Sequence, residues 1–273
     1  MIKAEQLYQT LKKTLSENGI SAADFEAAEI LRVFNNFDVK KLTAFPETML
    51  DETPALDALS KRVEGEPLQY LVGKWDFYRY EFFVGEGVLI PRSDTEILVE
   101  TALEDIKENM RVADLCSGSG CIAITVSKET KAQVYALEKS EKAYGYLLKN
   151  VKHNNAYVTP VLCDVLEYNG LKDLDVIISN PPYIKTSVVK TLSKEVKREP
   201  EMALDGGEDG LFFYREITKR WKDKLKKGGK IFFEIGSDQA QDVAEILKQN
   251  GFCDICIIKD YSKNDRVVKA TLE

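Results

Sequence analysis

Histidine is almost absent. His153 is the only one in 273 residues, which excludes catalysis through a histidine-based triad. Cysteine is sparse and odd in number, five in all, too few for a disulfide framework in a chain this long. No apolar run approaches the roughly 18 residues that a membrane-crossing helix needs. The opening stretch MIKAEQLYQTLKK has no apolar region of the kind a secretory signal carries. Basic charge is also short: 38 Lys+Arg stand against 45 Asp+Glu, a net charge of −7. That balance disfavours a sequence-blind grip on nucleic-acid phosphates, which needs a basic surface. What the chain does have is a 44% hydrophobic fraction, enough to fill a core and exclude wholesale disorder. A soluble, cytoplasmic protein of one large or two smaller domains is expected.

Residues 1–75 read as a small helical domain. Leu7, Leu11 and Leu15 recur on one helical face. Ser21–Asp24 resembles a capping box ahead of a second stripe, Phe25, Ala28, Leu31 and Phe34. Leu56, Leu59 and Val63 form a third face, closed by Gly65. Positions 1–85 hold 10 basic and 14 acidic residues, a net of −4. Residues 76–110 form a bridge that belongs to either half.

From residue 111 strands alternate with helices. The strand candidates are 111–115, 133–138, 158–163, 174–179, 230–235, 253–258 and 266–272, with one helix over 237–250, capped by Ser237 and ended by Gly251. This alternation predicts an α/β fold with a doubly wound, mostly parallel sheet. The last two strands are joined only by the short polar stretch 259–265. A parallel crossover needs a dozen or more residues, so this pair is expected to be antiparallel.

Two motifs carry chemistry. Asp114-Leu-Cys116-Ser117-Gly118-Ser119-Gly120-Cys-Ile-Ala123 lies where a strand gives way to a helix. Glycines there let a ligand approach the backbone and the free N–H groups of the helix start. Glu138 ends the next strand, where a carboxylate can accept both hydroxyls of a ribose. Together they indicate an adenosine-containing cofactor. The loop also fits the G-x-G-x-x-A pattern of dinucleotide sites, so NAD stays a rival. Asp164 ends the third strand, in place to meet an adenine edge.

The second motif is Asn180-Pro181-Pro182-Tyr183, directly after the strand Asp175-Val-Ile-Ile-Ser179. Two prolines fix φ and push their predecessors toward extended geometry, giving a rigid turn at the carboxyl end of a strand. Such a turn can aim the Asn180 oxygen and the Pro181 carbonyl at one NH2 group, with the Tyr183 ring as a wall. A planar NH2 conjugated to a carbonyl or a ring is a poor nucleophile. Two acceptors on its hydrogens concentrate electron density on nitrogen and orient it for attack.

With these residues in view, the chain resembles class I S-adenosylmethionine-dependent methyltransferases. More closely it resembles the HemK/PrmC family of release-factor glutamine N5-methyltransferases. The likeness extends to Arg62, Gly65–Leu71, Gly73, Val88–Glu96, Glu199-Pro200, Ala203-Leu204, Gly206–Leu211, Glu234-Ile-Gly236 and Gln239. It implies a seven-stranded Rossmann-like catalytic domain behind a helical domain that engages the release factor. It further implies methyl transfer from S-adenosylmethionine to the glutamine of the release factor's Gly-Gly-Gln motif. By position, Cys116, Ser117, Gly118, Ser119 and Gly120 would contact the cofactor, Glu138 its ribose, and Asp164 and Val165 its adenine region. Asn180 would stand between cofactor and substrate. It and the Pro181 carbonyl would hold the glutamine NH2, with Pro182 and Tyr183 shaping the slot and Arg92, Thr95 and Glu96 covering it. Cys116 and Ser93 depart from the family's usual glycine and proline, and Glu138 from its usual Asp.

The rival substrates are a glutamine on a ribosomal protein and, on charge grounds less favoured, an adenine-N6 of nucleic acid. Neither nucleic acid nor a membrane is an expected partner. Cys253-Asp-Ile-Cys256 lies in a strand candidate with no second pair, and residues three apart on a strand face opposite sides, so no metal is expected. The run Lys219–Lys227 reads as a solvated face.

Overall fold

The computed structural model describes Met1 to Glu273. It divides them into two units, Met1–Lys74 with Ser193–Arg198, and Trp75–Leu192 with Glu199–Glu273. No helix is long and apolar enough to cross a membrane.

The first unit contains β1 (Ile2–Lys3), α1 (Ala4–Glu17), α2 (Ala23–Phe34), β2 (Met49–Leu50), α3 (Thr53–Val63) and α4 (Leu68–Val72). Leu7, Leu11 and Leu15 are fully buried, as their spacing predicts. The other two faces are turned by one residue from the sequence expectation. On α2 the buried side is Ala23, Ala27, Ile30 and Leu31, and Phe25 is 52% exposed. On α3 it is Ala55, Ala58 and Leu59, with Leu56 outside. The reason is an ion pair. Arg62 donates to Glu26 at 2.6 and 3.0 Å, and both side chains are buried. A buried charge keeps its partner with it, so the face of each helix that carries one of the pair goes inside. Glu195, from the second stretch of this unit, accepts from Arg62 at 3.1 Å. The capping box does not form: Ala22 is the N-cap of α2 and no side chain caps it.

The second unit opens with β3 (Lys74–Phe77) and β4 (Tyr80–Phe83), which pair as a hairpin, followed by α5 (Ser93–Leu103). Residues 76–110, read from the sequence as a bridge, fall within this unit and carry β4 and α5. Next come β5 (Arg111–Leu115), α6 (Cys121–Glu129), β6 (Gln133–Glu138), α7 (Glu141–His153), β7 (Val158–Leu162), β8 (Leu174–Ser179) and α8 (Thr186–Val189). The chain ends with α9 (Phe212–Trp221), β9 (Leu225–Glu234), α10 (Ala240–Gln249), β10 (Phe252–Lys259) and β11 (Asp265–Leu272). The seven-stranded sheet runs in the order β10-β11-β9-β8-β5-β6-β7. β10 and β11 are antiparallel to each other, and β11 is antiparallel to β9, while the other pairs are parallel.

Alternation along the central strands sets both layers of the core. Val112, Val176, Ile178 and Phe232 face α5, α6 and the hairpin, while Ala113, Leu115, Ile177 and Phe233 face α9 and α10. Strands buried on both sides are what a parallel sheet covered by helices requires. The order reverses beside β5: β6 and β7 extend one way, β8 and β9 the other. Ligands of open α/β sheets bind outside the carboxyl ends of the strands at such a reversal. Leu115 and Ser179 are register partners there, and Ser179 Oγ donates to the Leu115 carbonyl at 2.7 Å. The glycine loop and the Asn-Pro-Pro-Tyr turn thus leave the sheet side by side.

Asn150, wholly buried on α7, ties the hairpin to that loop. Its Oδ1 accepts from the Phe83 N–H at 2.7 Å, and its Nδ2 donates to the carbonyls of Phe83 at 3.0 Å and Ser119 at 2.9 Å. Asn150→Ala removes three hydrogen bonds to the backbone of Phe83 and Ser119. It is expected to cost about 3 kcal/mol of stability, read as a lower midpoint in urea unfolding.

Candidate active site

Cys116, Ser117, Gly118, Ser119, Glu138, Asp164, Val165, Asn180 and Pro182 line one cavity of about 510 Å³ at the carboxyl edge of the sheet. The loop after β5 is held by its own short bonds. Ser117 Oγ donates to the Asp114 carbonyl at 2.9 Å, and the Ser117 N–H reaches the Leu137 carbonyl at 3.0 Å. Asp114 Oδ2 accepts from the Ala123 N–H at 3.1 Å, in the first turn of α6. Burial raises the Asp114 carboxyl to about 7, and its Oδ1 has no partner. Cys116 stands at φ 63°, a left-handed conformation in which a side chain is strained. Glycine, which the resemblance leads one to expect there, meets no such strain. Burial also pushes the Cys116 thiol far above its ordinary range, so it stays protonated.

Glu138 is buried at the end of β6. Its Oε2 accepts from the Gly118 N–H at 2.8 Å and its Oε1 from the Ser140 N–H at 2.7 Å. Burial raises its pKa, with the Ser140, Gly118 and Lys139 N–H groups opposing. Each carboxylate oxygen keeps a further lone pair, so two hydroxyls can still be received. Asp164 accepts from the Leu166 N–H at 2.8 Å and pairs with Lys139 at 2.7 Å. Burial acts upward on its pKa, but these partners outweigh it and hold the carboxyl below its ordinary value. The Val165 carbonyl is fixed by Trp221 Nε1 at 2.8 Å.

This donor set fits an adenosine-containing group. Glu138 ends β6 and Asp164 follows the end of β7 by two residues, apolar Val165, Leu166 and Ile122 lie among the lining residues, and a Cβ built on Gly118 would meet nothing within 4 Å. The surface over the glycine loop is open for a ligand.

The turn after β8 is clamped from behind. A Cβ on Gly206 would fall 2.6 Å from Tyr183 Cα and 2.8 Å from the Pro182 carbonyl, so only glycine lets that segment pass. Gln239 Nε2 donates to the carbonyls of Tyr183 at 3.0 Å and Gly210 at 3.1 Å, and its Oε1 accepts from the Gly236 N–H at 2.9 Å. With Gln239 so engaged, the helix expected from Ser237 begins only at Ala240. Asn180 Nδ2 donates to Thr95 Oγ1 at 3.2 Å, and Thr95 Oγ1 donates to Glu234 Oε2 at 2.6 Å.

Two family models match the chain: the PrmC N-terminal domain over residues 6–73 and the methyltransferase small domain over residues 92–208. The release factor glutamine methyltransferase of Thermodesulfovibrio yellowstonii is 40% identical over 89% of this chain and 90% of its own length. That of Geobacter sulfurreducens is 38% identical over 93% and 91%. The chain belongs to the release factor glutamine methyltransferase family. A methyltransferase from Pyrococcus furiosus, 19% identical, shares the fold with a TM-score of 0.52 over 66% of this chain and 83% of that one.

Not every residue singled out from the sequence of this family member reaches the cavity. Pro181 and Tyr183 are not among its lining residues; the Tyr183 hydroxyl turns instead to Glu234 Oε1, at 3.5 Å. Gly120 lies behind the lining, as the N-cap of α6. Arg92 lines the cavity and pairs with Glu199, whose Oε2 also accepts from the Ile90 N–H at 3.0 Å. Thr95 also lines the cavity, where it accepts from Asn180. Glu96 faces away: it accepts from the N–H of Tyr78, which has φ 59° in the hairpin turn, at 2.7 Å. His153 stands off the cavity beside Glu81 at 3.2 Å, and Cys253 and Cys256 are free thiols on β10. In the basic run, Trp221 is buried, while Arg220 and Lys226 pair with Glu216 and Asp175. Gly206, Gly210 and Gln239 stood in the sequence only as family positions; their clamp on the turn had no local signal.

Proposed function

We propose that this methyltransferase modifies the side-chain N5 of the glutamine in the Gly-Gly-Gln motif of peptide chain release factors, in the cytoplasm. Its cofactor in this reading is S-adenosylmethionine, which supplies an electrophilic methyl when bound. The observation that carries the reading is the presentation of Asn180. One Nδ2 hydrogen goes to Thr95, which turns that side of the amide away and leaves Oδ1 as its acceptor at the cavity. A glutamine NH2 is a hydrogen-bond donor with a delocalised lone pair. Asn180 Oδ1 would accept one of its hydrogens and orient the nitrogen for in-line attack, and the Pro181 carbonyl, set back from the lining residues, would take the other once the glutamine enters the slot. Pro182 closes the slot. Glu138 would receive the ribose hydroxyls, Asp164 and Val165 would border the adenine, and Cys116–Gly120 would cradle the remainder.

No strong base is needed in this scheme, because the amide gives up its proton after the methyl arrives. The absence of His or Lys at the turn agrees with that. The helical unit, net acidic and built on the Arg62–Glu26 pair, would engage the release factor.

Labelled S-adenosylmethionine should be incubated with the protein and unmodified release factor, ribosomal protein or DNA, and the label located by mass spectrometry. The expected product carries one methyl on the Gly-Gly-Gln glutamine. Label on a ribosomal-protein glutamine or on adenine instead, with that glutamine bare, would overturn the reading.

A further inference from the structure

Glu234 ends β9 with its side chain almost wholly enclosed. It has no cation of its own. Arg266 of β11 faces it without a hydrogen bond to it: its NH groups go to Asp94 at 3.2 Å, Asp260 at 3.2 Å and the Ile235 carbonyl at 3.2 Å, and its buried Nε has no partner. A buried, unpaired carboxyl is costly. Here both of its oxygens are turned to one functional turn: Oε2 accepts from Thr95 at 2.6 Å, and Oε1 lies 3.5 Å from the Tyr183 hydroxyl.

The hydroxyl of Thr95 has a single proton. Given to Glu234, it leaves Oγ1 only lone pairs for Asn180, and a lone pair can be met only by the Nδ2 side of the Asn180 amide. The other side, Oδ1, must then face the cavity. We propose that ionised Glu234 is a positioning residue that sets the orientation of Asn180 through Thr95. The inference rests on the reading above, in which Asn180 Oδ1 accepts the substrate's NH2. When Glu234 is protonated, it becomes a donor to Thr95. The Thr95 proton is then free to point at Asn180, and the amide turns over, showing NH2 to the substrate's NH2.

The sign of the pH dependence follows. The charged groups around Glu234 are Arg266 on β11 and Asp94 on α5; Thr95 also lies on α5, Tyr183 on the turn, and the Tyr214 hydroxyl of α9 meets its backbone carbonyl at 2.9 Å. Burial dominates and raises the carboxyl to about 7, with Thr95 and Arg266 opposing and Asp94 adding. The ionised form is the competent one, so transfer is lost as pH falls through that value. Asp114 titrates in the same range beneath the glycine loop, so the assignment needs variants rather than a profile alone.

The experiment measures kcat and KM for whole release factor, and calorimetric affinity for S-adenosylmethionine, from about pH 5.5 to 9. The proteins compared are the wild type, Glu234→Gln, Thr95→Val, Thr95→Ser and Asn180→Ala. Thr95→Val is expected to lower kcat about 30-fold with cofactor affinity unchanged, and Thr95→Ser to restore it to within about threefold. The wild-type acid limb should vanish in Glu234→Gln, whose kcat is flat with pH. An acid limb that persists in Glu234→Gln, or a Thr95→Ser no better than Thr95→Val, overturns the inference alone if Asn180→Ala is inactive. Full transfer by Asn180→Ala overturns both this inference and the reading beneath it.

Discussion

Asn180→Ala is expected to lower kcat by about 10²–10³-fold, the usual cost of removing one preorganised polar group from a transition state. Affinity for S-adenosylmethionine should stay within about threefold, because transition-state and ground-state contacts separate in such a measurement. The geometry supports this split. The one hydrogen bond of the Asn180 side chain goes to Thr95, and the glycine loop and Glu138 are held by bonds in which Asn180 takes no part. The backbone of the turn is fixed independently by Gln239 on the Tyr183 carbonyl and by the close approach of Gly206. Truncating the side chain therefore leaves the turn in place and removes only its acceptor. Single-turnover methylation beside calorimetric titration of the cofactor checks both halves. A loss of affinity as steep as the loss of rate would show that Asn180 serves cofactor binding.

Glu138→Ala should give the opposite pattern: cofactor affinity about 100-fold weaker, with kcat at saturating cofactor nearly intact. Two losses combine. The ribose hydroxyls lose a charge-assisted acceptor, and the N–H groups of Gly118 and Ser140 lose the carboxylate that organises them. The second loss loosens the loop itself, so the effect should exceed that of two missing ligand bonds. Titration of the cofactor into the variant, with kcat extrapolated to saturation, is the check. A fall in saturated kcat with unchanged affinity would move Glu138 from the binding role to the chemical one.

How much of this was legible in the sequence depended on the range of the interaction. β5, β6 and β8 were readable because their apolar runs are buried on both faces, and the antiparallel last pair followed from the length of one linker. The glycine loop and the Asn-Pro-Pro-Tyr turn are contiguous, so their residue types carry the signal directly. Helix faces in the first unit were misjudged where Glu26 and Arg62, 36 positions apart, pulled charge inside. The start of β9 was hidden too: the strand was expected from residue 230, and 226–227 as part of a solvated face, yet the strand begins at Leu225. Least visible were the parts that aim the turn. Asn180 and Thr95 are 85 positions apart, Gln239 and Tyr183 are 56, and Thr95 and Glu234 are 139. No local period reports a contact across such distances. Only the assembled sheet brings these residues together.

The return of Ser193–Arg198 to the N-terminal unit has a consequence for the order in which the protein is made. The first 74 residues leave the ribosome with Arg62 able to find Glu26, but without Glu195. By the time residue 198 has been synthesised, the chain has already passed through β5, β6, β7 and β8. The unit that is translated first is therefore among the last to be completed. A fragment ended after Lys74 lacks the Glu195 acceptor of Arg62.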